Sequence, residues 1–286
     1  MESFCPRHTI TLRLGAASYD LTHRALVMGI LNRTPDSFFP PAATYDLDAL
    51  FARADALVGD GADLLDVGGV KAGPGEEVGE TEEVDRVVPV IAELRRRFDL
   101  PLSVDTWRAS VAEQSYAAGA VMGNDISGFS DPHYLAVSAR AGATVVATHI
   151  RLQPRVADPH PSYDDVTATV EQFLLDRFAR ARDAGVAADR IVLDAGLDLG
   201  KSAAQSLQLL RDTSRLASLG APLLLSASNK TFLGVLFDEP VGERREASLA
   251  ATALGIAGGC RVVRVHDVRG AVRVRDTLSA VMAARS

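Results

Sequence analysis

The sequence contains little cysteine and no long apolar run, and each shortage excludes a class of protein. Cys5 and Cys260 are the two cysteines among 286 residues, which is too few for a disulfide framework or a cysteine-based metal site. No apolar run reaches the ~20 residues of a membrane-spanning helix, and residues 1–14 lack the apolar stretch of a signal peptide. We therefore expect a cytoplasmic protein without a membrane partner.

The sequence also lacks an excess of positive charge. Its formal net charge is −7 at pH 7, whereas a general nucleic-acid binder presents a basic face to the phosphates. We therefore expect no nucleic-acid partner. An anionic small molecule is still compatible with this charge, because a few local cations can hold it.

What the sequence does contain is a regular alternation of two kinds of segment. Apolar runs rich in Val, Leu and Ile, with both faces suited to burial, are typical of parallel strands. Amphipathic stretches with apolar residues at helical spacing are typical of surface helices. The predicted strands are residues 26–32, 64–69, 102–106, 121–126, 144–149, 191–196, 222–228 and 261–267, and the predicted helices include 47–58, 84–98, 165–184 and 202–219.

Eight strand units favour an α/β fold in the form of a single (β/α)8 TIM barrel, with an open doubly wound sheet as the alternative. The length lies close to the roughly 250 residues typical of such barrels, and the hydrophobic fraction of 47% supplies a core. Residues 9–14 alternate polar and apolar side chains, which predicts one strand of a short N-terminal β-hairpin closing the bottom of the barrel. We take residues 1–286 as one domain.

Each predicted strand ends in side chains that can ionise or hydrogen-bond. Singly they have structural explanations: Asp105 and Thr106 could cap a helix, His266 and Asp267 could form a structural pair, and Asp66 could bond to its own turn. Capping does not explain why polar groups recur at the C-terminal ends, where barrel active sites form. The predicted ring comprises Asn32, Asp66, Asp105, Asn124, Asp194, Ser228, Lys230, Arg264 and His266.

One part of this ring suits phosphate. Arg264 and His266 alternate along one predicted strand and should face the same side. With the amide of Asn32 they could hold phosphate oxygens. The Asn32 carbonyl could also bind Mg2+, which takes few protein ligands when phosphate oxygens supply the others. A hydrolase triad of Ser228, His266 and an aspartate is disfavoured, because the sequence has no nucleophile elbow.

The other part suits a flat heterocycle rich in N–H donors. The carboxylates of Asp105 and Asp194 accept hydrogen bonds, and the amide of Asn124 both donates and accepts. Lys230 would face a ring oxygen or nitrogen. No cluster of cysteine and histidine suggests zinc.

Seven segments of the chain carry a family resemblance. They are residues 28–38 (Met-Gly-Ile-Leu-Asn-Arg-Thr-Pro-Asp-Ser-Phe), 66–69 (Asp-Val-Gly-Gly), 103–106 (Ser-Val-Asp-Thr), 124–128 (Asn-Asp-Ile-Ser-Gly), 194–201 (Asp-Ala-Gly, then Gly-Lys), 228–230 (Ser-Asn-Lys) and 264–267 (Arg-Val-His-Asp). In order and spacing they resemble dihydropteroate synthase over nearly the whole chain. That family joins 6-hydroxymethyl-7,8-dihydropterin diphosphate to 4-aminobenzoate and releases pyrophosphate.

The resemblance implies a transferase of folate biosynthesis, in most members a homodimer, and it implies a role for each site residue. Asp105, Asn124, Asp194 and Lys230 would hold the pterin, while Asn32, Arg264 and His266 would hold the diphosphate with Mg2+. Lys230, Arg264 and His266 are the predicted catalytic residues. The substrate-binding set is Asp66, Asp105, Asn124, Asp194, Ser228, Lys230, Arg264 and His266, with Asn32 as the metal ligand.

The departures from the family pattern lie mainly in the loops. The usual Gly-Gly-Glu-Ser-Thr-Arg-Pro-Gly reads Gly-Gly-Val-Lys-Ala-Gly-Pro-Gly at residues 68–75, so the threonine and arginine that help hold aminobenzoate and diphosphate are Ala72 and Gly73. Lys71 could supply a charge, without the bidentate fork of arginine. The other departures are Arg33, Phe39-Pro40-Pro41-Ala42, Thr148, Ala195, Leu199 and Asn229.

Two main hypotheses follow from this distribution. In one, Arg33 and Lys71 compensate and the chain performs the family's reaction, with weak activity allowed. In the other, the chain is a paralogue that binds pterin but lacks the aminobenzoate step or uses another acceptor. Two further alternatives are a methyl-tetrahydrofolate module of a cobalamin-dependent methyltransferase, disfavoured by the Arg264 and His266 pair, and a non-catalytic regulator.

Overall fold

Eight parallel strands close into a barrel in the computed structural model, which describes residues 9–34 and 46–283. An antiparallel hairpin precedes them, β1 (Thr11–Leu14) and β2 (Ala17–Asp20). The barrel strands are β3 (Leu26–Asn32), β4 (Leu64–Gly68), β5 (Leu102–Asp105), β6 (Met122–Asp125), β7 (Thr144–Thr148), β8 (Ile191–Asp194), β9 (Leu223–Leu225) and β10 (Cys260–Val265). Strand β10 pairs with both β3 and β9, so the sheet has no edge. The barrel and its hairpin are confirmed, and the open-sheet alternative is wrong.

Helices surround the barrel. They are α1 (Leu47–Gly59), α2 (Glu80–Arg97), α3 (Ala109–Ala117), α4 (Tyr134–Ala141), α5 (Val166–Asp183), α6 (Ala203–Arg211), α7 (Thr213–Leu216), α8 (Thr231–Phe237), α9 (Arg245–Gly258) and α10 (Val268–Ala283), with 3-10 turns at Ala188–Arg190 and Val241–Glu243. In the described parts of the chain, none of these helices has the length and apolarity needed to cross a bilayer.

Some predicted boundaries differ from those observed. Helix α2 begins at Glu80 rather than at residue 84, because the acidic residues of its first turn suit the positive end of the helix dipole. The predicted helix 202–219 is interrupted at Asp212, after which the Thr213 hydroxyl donates to the carbonyl of Leu210 at 2.7 Å. Side-chain bonds of this kind compete with the helical ladder.

The hairpin closes the bottom of the barrel, as predicted. Leu12, Leu14 and Leu21 are at most 2% exposed. They pack in one cluster with the apolar side chains of the barrel interior, which are Leu26, Met28, Leu64, Met122, Val146, Val192, Leu224 and Val262. A second and larger core lies between the strands and the helices. The interior of the barrel is therefore apolar at its N-terminal end.

Strand periodicity places polar side chains directly above this apolar layer. Residues two positions apart on a strand face the same side of the sheet. Because Leu64, Met122, Val146, Val192 and Val262 face the interior, the residues two positions later on the same strands do so as well. These are Asp66, Asn124, Thr148, Asp194 and Arg264.

Candidate active site

The pocket floor, which we define as Asp66, Asp105, Asn124 and Arg264, is one connected polar group. The Arg264 guanidinium donates to Asp66 Oδ2 through Nε at 2.6 Å and to Asp105 Oδ2 through Nη2 at 2.8 Å. The amide of Asn124 donates to the same Asp66 oxygen at 3.1 Å. Four predicted site residues from strands β4, β5, β6 and β10 thus meet. Asp66 bonds to other strands rather than to its own turn.

The pocket floor has one cation for two carboxylates. Burial raises the pKa of Asp105 above its ordinary value, and the negative charges of Asp66 and Glu83 add to this rise, while Arg264 opposes it. Asp66 is fully buried, and its Oδ1 atom has no hydrogen-bond partner among the described residues. An unpaired buried acceptor is costly, so the floor is suited to a ligand that brings N–H donors.

Asp194 and Lys230 lie beside the loop that follows β8. Asp194 Oδ1 accepts the Gly196 N–H at 2.8 Å, and the Lys230 ammonium donates to the Leu197 carbonyl at 2.6 Å. Burial raises the pKa of Asp194 and lowers that of Lys230, and the charge of each partly offsets the shift of the other. The prediction that these two residues share one site agrees with this placement.

Ser228 and His266 form a second polar group, just past the ends of β9 and β10. Ser228 Oγ lies 3.0 Å from His266 Nδ1 and accepts the backbone N–H of His266 at 3.2 Å. Because Oγ accepts from the backbone, its own proton can be donated to Nδ1, which leaves Nε2 as the N–H donor of the ring. Burial lowers the pKa of His266 to about 4, and the charges of Arg264 and Arg53 act in the same direction.

Asn32 lies at the end of β3, next to the floor. A Cβ added to Gly68 would lie 3.1 Å from Asn32 Oδ1 and 3.6 Å from Asp105 Oδ2, so the side chains of Asn32 and Asp105 converge over this glycine. No group of three or more His, Cys, Asp or Glu side chains within residues 9–34 and 46–283 could hold a metal by itself. An ion here would need oxygens from a ligand.

The family model described as pterin binding enzyme matches residues 28–266, a span that runs from the first strand of the barrel to His266. The chain belongs to the dihydropteroate synthase family. It is 40% identical to a dihydropteroate synthase of Synechocystis, over 92% of each chain. It is 41% identical to a protein of Mycobacterium leprae named inactive dihydropteroate synthase 2, again over 92% of each.

A solved structure has the same fold. It is the dihydropteroate synthase of Xanthomonas albilineans with 4-aminobenzoic acid, with a TM-score of 0.89, 38% identity, and coverage of 97% of this chain and 100% of that one. The chain is therefore a pterin-binding family member whose relatives include both proteins named as synthases and proteins named as inactive.

The loop after β4, in which the chain departs from the family pattern, is held by an arginine. Arg155 reaches from the loop after β7 to the loop after β4, where its guanidinium donates to the carbonyls of Lys71, Gly73 and Glu76. Its backbone N–H donates to the Ala72 carbonyl at 3.0 Å. We call these two segments, residues 69–79 and 149–165, the rim loops. Sequence analysis missed this contact, because nothing local links positions about eighty residues apart.

Three other departures from the family pattern are Arg33, Thr148 and residues 39–42. Arg33 Nη1 donates to the carbonyls of Asp85 and Arg86 in α2, at 2.9 and 3.1 Å, so this arginine braces a helix. Thr148 is buried, and its Oγ1 has no hydrogen-bond partner in the described part of the chain. The Phe-Pro-Pro-Ala segment at 39–42 lies outside the described residues.

Proposed function

We propose that the chain condenses 6-hydroxymethyl-7,8-dihydropterin diphosphate with 4-aminobenzoate and releases pyrophosphate. The observation that carries this proposal is the pocket floor, a buried group of acceptors with an unpaired Asp66 oxygen at the C-terminal end of the barrel. Polar groups that converge in an otherwise apolar interior are the usual form of a small-molecule site. The pterin-binding family of the chain supports the same ligand class.

In this proposal the pterin ring lies on the floor. Its N–H donors would bond to Asp105, Asp194 and the Asn124 carbonyl, and Lys230 would donate to a ring acceptor. The net negative charge of the floor favours the electron-poor methylene carbon that develops as the C–O bond to the diphosphate breaks. The aniline nitrogen then forms the new C–N bond and loses a proton, and the diphosphate leaves with the electron pair.

The diphosphate would lie at the mouth of the barrel, near Asn32, Arg264 and His266. The uncharged His266 ring donates through Nε2, and Ser228 holds the ring in that tautomer. Mg2+ fits this arrangement, because the single neutral oxygen of Asn32 suits an ion that takes its remaining ligands from phosphate and water. When bound, Mg2+ would offset the charge of the leaving diphosphate. Lys230, Arg264 and His266 are the proposed catalytic residues.

A second candidate is a pterin-binding paralogue without the aminobenzoate step. The observation that favours it is the rim loop after β4, where Ala72 and Gly73 replace the threonine and arginine of the family pattern and Arg155 holds the backbone. The 41% identity to an inactive dihydropteroate synthase 2 is compatible with it.

Subunit assembly and location are further parts of the proposal. We propose a homodimer in the cytoplasm. Exposed apolar side chains on α8, α9 and α10 support subunit contact there: Val235 is 64% exposed, Phe237 60%, Leu254 61% and Val281 57%.

Pyrophosphate release tests both candidates. The assay contains 6-hydroxymethyl-7,8-dihydropterin diphosphate and Mg2+, with and without 4-aminobenzoate, and is followed by identification of dihydropteroate. Release that depends on aminobenzoate supports the synthase. Tight pterin binding by calorimetry without such release supports the paralogue, and absence of pterin binding contradicts both.

A further inference from the structure

Lys201 is a buried cation whose partners are all neutral. Its ammonium lies 2.9 Å from His149 Nδ1 and donates to the carbonyls of Gly196 at 2.8 Å and Leu199 at 3.0 Å, with the His149 carbonyl at 3.2 Å. It forms no ion pair within residues 9–34 and 46–283. Three short contacts match the three protons of an ammonium, so every direct contact of this charge is a hydrogen bond to a neutral group.

His149 is built to accept this bond. Burial, followed by the charge of Lys201, lowers the pKa of His149 to about 3, so that its ring is neutral. The ring packs edge-on against Phe173 with centroids 4.8 Å apart, which fixes its plane. Burial lowers the pKa of Lys201 to about 7, and the charged form prevails below that pH.

The contacts of Lys201 join the loop between β8 and α6, residues 195–202, to His149. Gly196, Asp198 and Gly200 all have φ angles between 63° and 66°, and this region is unfavourable for the aspartate. A Cβ on Gly196 would lie 1.9 Å from the carbonyl oxygen of His149, so the loop is in direct contact with the residue that follows β7. Lys201 bonds on both sides of that contact.

The same loop positions two predicted pterin-binding residues. Its Gly196 N–H binds Asp194, and its Leu197 carbonyl accepts the Lys230 ammonium. The Asp198 carboxylate accepts the backbone N–H groups of Thr231 and Phe232, which directly follow Lys230. One loop therefore fixes both the backbone and the ammonium of Lys230.

We propose that Lys201 is a positioning residue for pterin binding: by anchoring loop 195–202 to His149, it sets the place of Lys230 beside Asp194. The ligand of this inference, a pterin, rests on the proposed function, whereas the role of Lys201 in anchoring the loop does not. Lys201 touches no substrate in this proposal. Its effect should reach Lys230 and Asp194 on the pterin side of the pocket and spare the diphosphate side, which contains Asn32, Ser228, Arg264 and His266.

The test compares Lys201→Met with Ser202→Ala. The methionine keeps the length of the side chain and removes its donors. The alanine removes the capping box that Ser202 forms with Gln205 at the start of α6 and leaves the Lys201 acceptors in place. It is a matched control for destabilisation of the adjacent helix.

Two readouts are taken at a pH below 7, where Lys201 is charged. Hydrogen exchange measures the protection of the Thr231 and Phe232 amides. Calorimetry measures binding of 6-hydroxymethylpterin and, separately, of pyrophosphate with Mg2+. In Lys201→Met we expect faster exchange of both amides and about tenfold weaker pterin binding, with pyrophosphate binding within about twofold. Ser202→Ala should leave both readouts near the wild type.

Unchanged exchange of the two amides in Lys201→Met overturns the proposal, as does an equal loss of pterin and pyrophosphate affinity. If the wild type binds no pterin, the proposed function fails, and the exchange of the two amides alone decides whether Lys201 fixes the loop. If Lys201→Met does not fold, Lys201→Gln, which keeps two donors, should show the same pattern with a smaller effect.

Discussion

The pocket floor is positioned by strand register, whereas the rim loops are positioned by long side chains that donate to backbone carbonyls. In the floor, Asp66, Asp105, Asn124 and Arg264 come from four strands, and the pairing of those strands fixes their spacing. At the rim, Arg155 donates to backbone carbonyl oxygens of the loop after β4. Such oxygens are present whatever the side chains of that loop are.

This difference explains where the chain departs from its family. A change in the floor leaves buried charge unpaired, which is strongly unfavourable. A substitution at residues 70–73 of the rim alters a side chain, while Arg155 still bonds to the backbone of that loop. The rim can therefore be rebuilt while the fold and the floor are kept, as the substitutions at residues 70–73 illustrate.

The largest expected effect is that of Arg264→Met. It leaves the carboxylates of Asp66 and Asp105 buried without their cation, so the free energy of unfolding should fall by about 3–5 kcal/mol, and pterin binding should be lost. Chemical denaturation measures the stability, with Arg269→Met on the exposed face of α10 as the control. A stability equal to that of the control would show that the floor does not depend on its ion pairs.

The next effect is a dependence of stability on pH. The pKa of His266 is lowered from 6.5 to about 4 in the folded protein. Between these two pH values the unfolded chain therefore binds more protons at this residue than the folded chain does. The stabilisation from a neutral His266 is present above pH 6.5 and is lost as pH falls toward 4, up to about 3 kcal/mol. His266→Gln should flatten this part of the curve measured by urea unfolding, whereas exposed His160→Gln should not. Parallel curves for the wild type and His266→Gln would contradict the prediction.

A smaller effect is expected from Arg155→Ala. Loss of the Arg155 donors should release the loop at residues 69–79, so the free energy of unfolding should fall by about 1 kcal/mol. Proteolysis within residues 69–79 should be faster, and pterin affinity should be unchanged. The control is Arg151→Ala, since Arg151 pairs with Asp158 and not with that loop. A large loss of pterin affinity in Arg155→Ala would show that rim and floor are coupled.

The smallest effect is expected from Lys71→Ala. A single partly exposed ammonium contributes little to phosphate binding and is screened by salt, so pyrophosphate affinity should fall by about threefold or less. Calorimetry at two salt concentrations measures this change. A loss of tenfold or more would mean that Lys71 does replace the missing arginine.

The floor could be predicted from the sequence because two local rules suffice for it. Side chains alternate along a strand, and the C-terminal ends of barrel strands meet at one face. These rules place the floor residues Asp66, Asp105, Asn124 and Arg264 together, with Asp194 at the same end of the barrel, without any knowledge of contacts. They do not give the partners: the sequence did not predict that Arg264 bonds to Asp66 and Asp105.

Contacts between loops that are distant in the sequence could not be predicted. Arg155 and Lys201 bind backbone carbonyls, which leave no mark in the sequence of the loop they hold. The break between α6 and α7 was missed for a similar reason, since it depends on a single threonine hydroxyl that bonds to the preceding turn. Such features follow from the folded path of the chain rather than from a local pattern.

The N-terminal hairpin has a consequence for how ligands enter and leave the barrel. Leu12, Leu14 and Leu21 fill the lower end of the barrel, so in the described part of the chain no route leads to the pocket floor from that end. In the proposed function, a pterin on the floor would therefore enter and leave at the C-terminal end of the barrel.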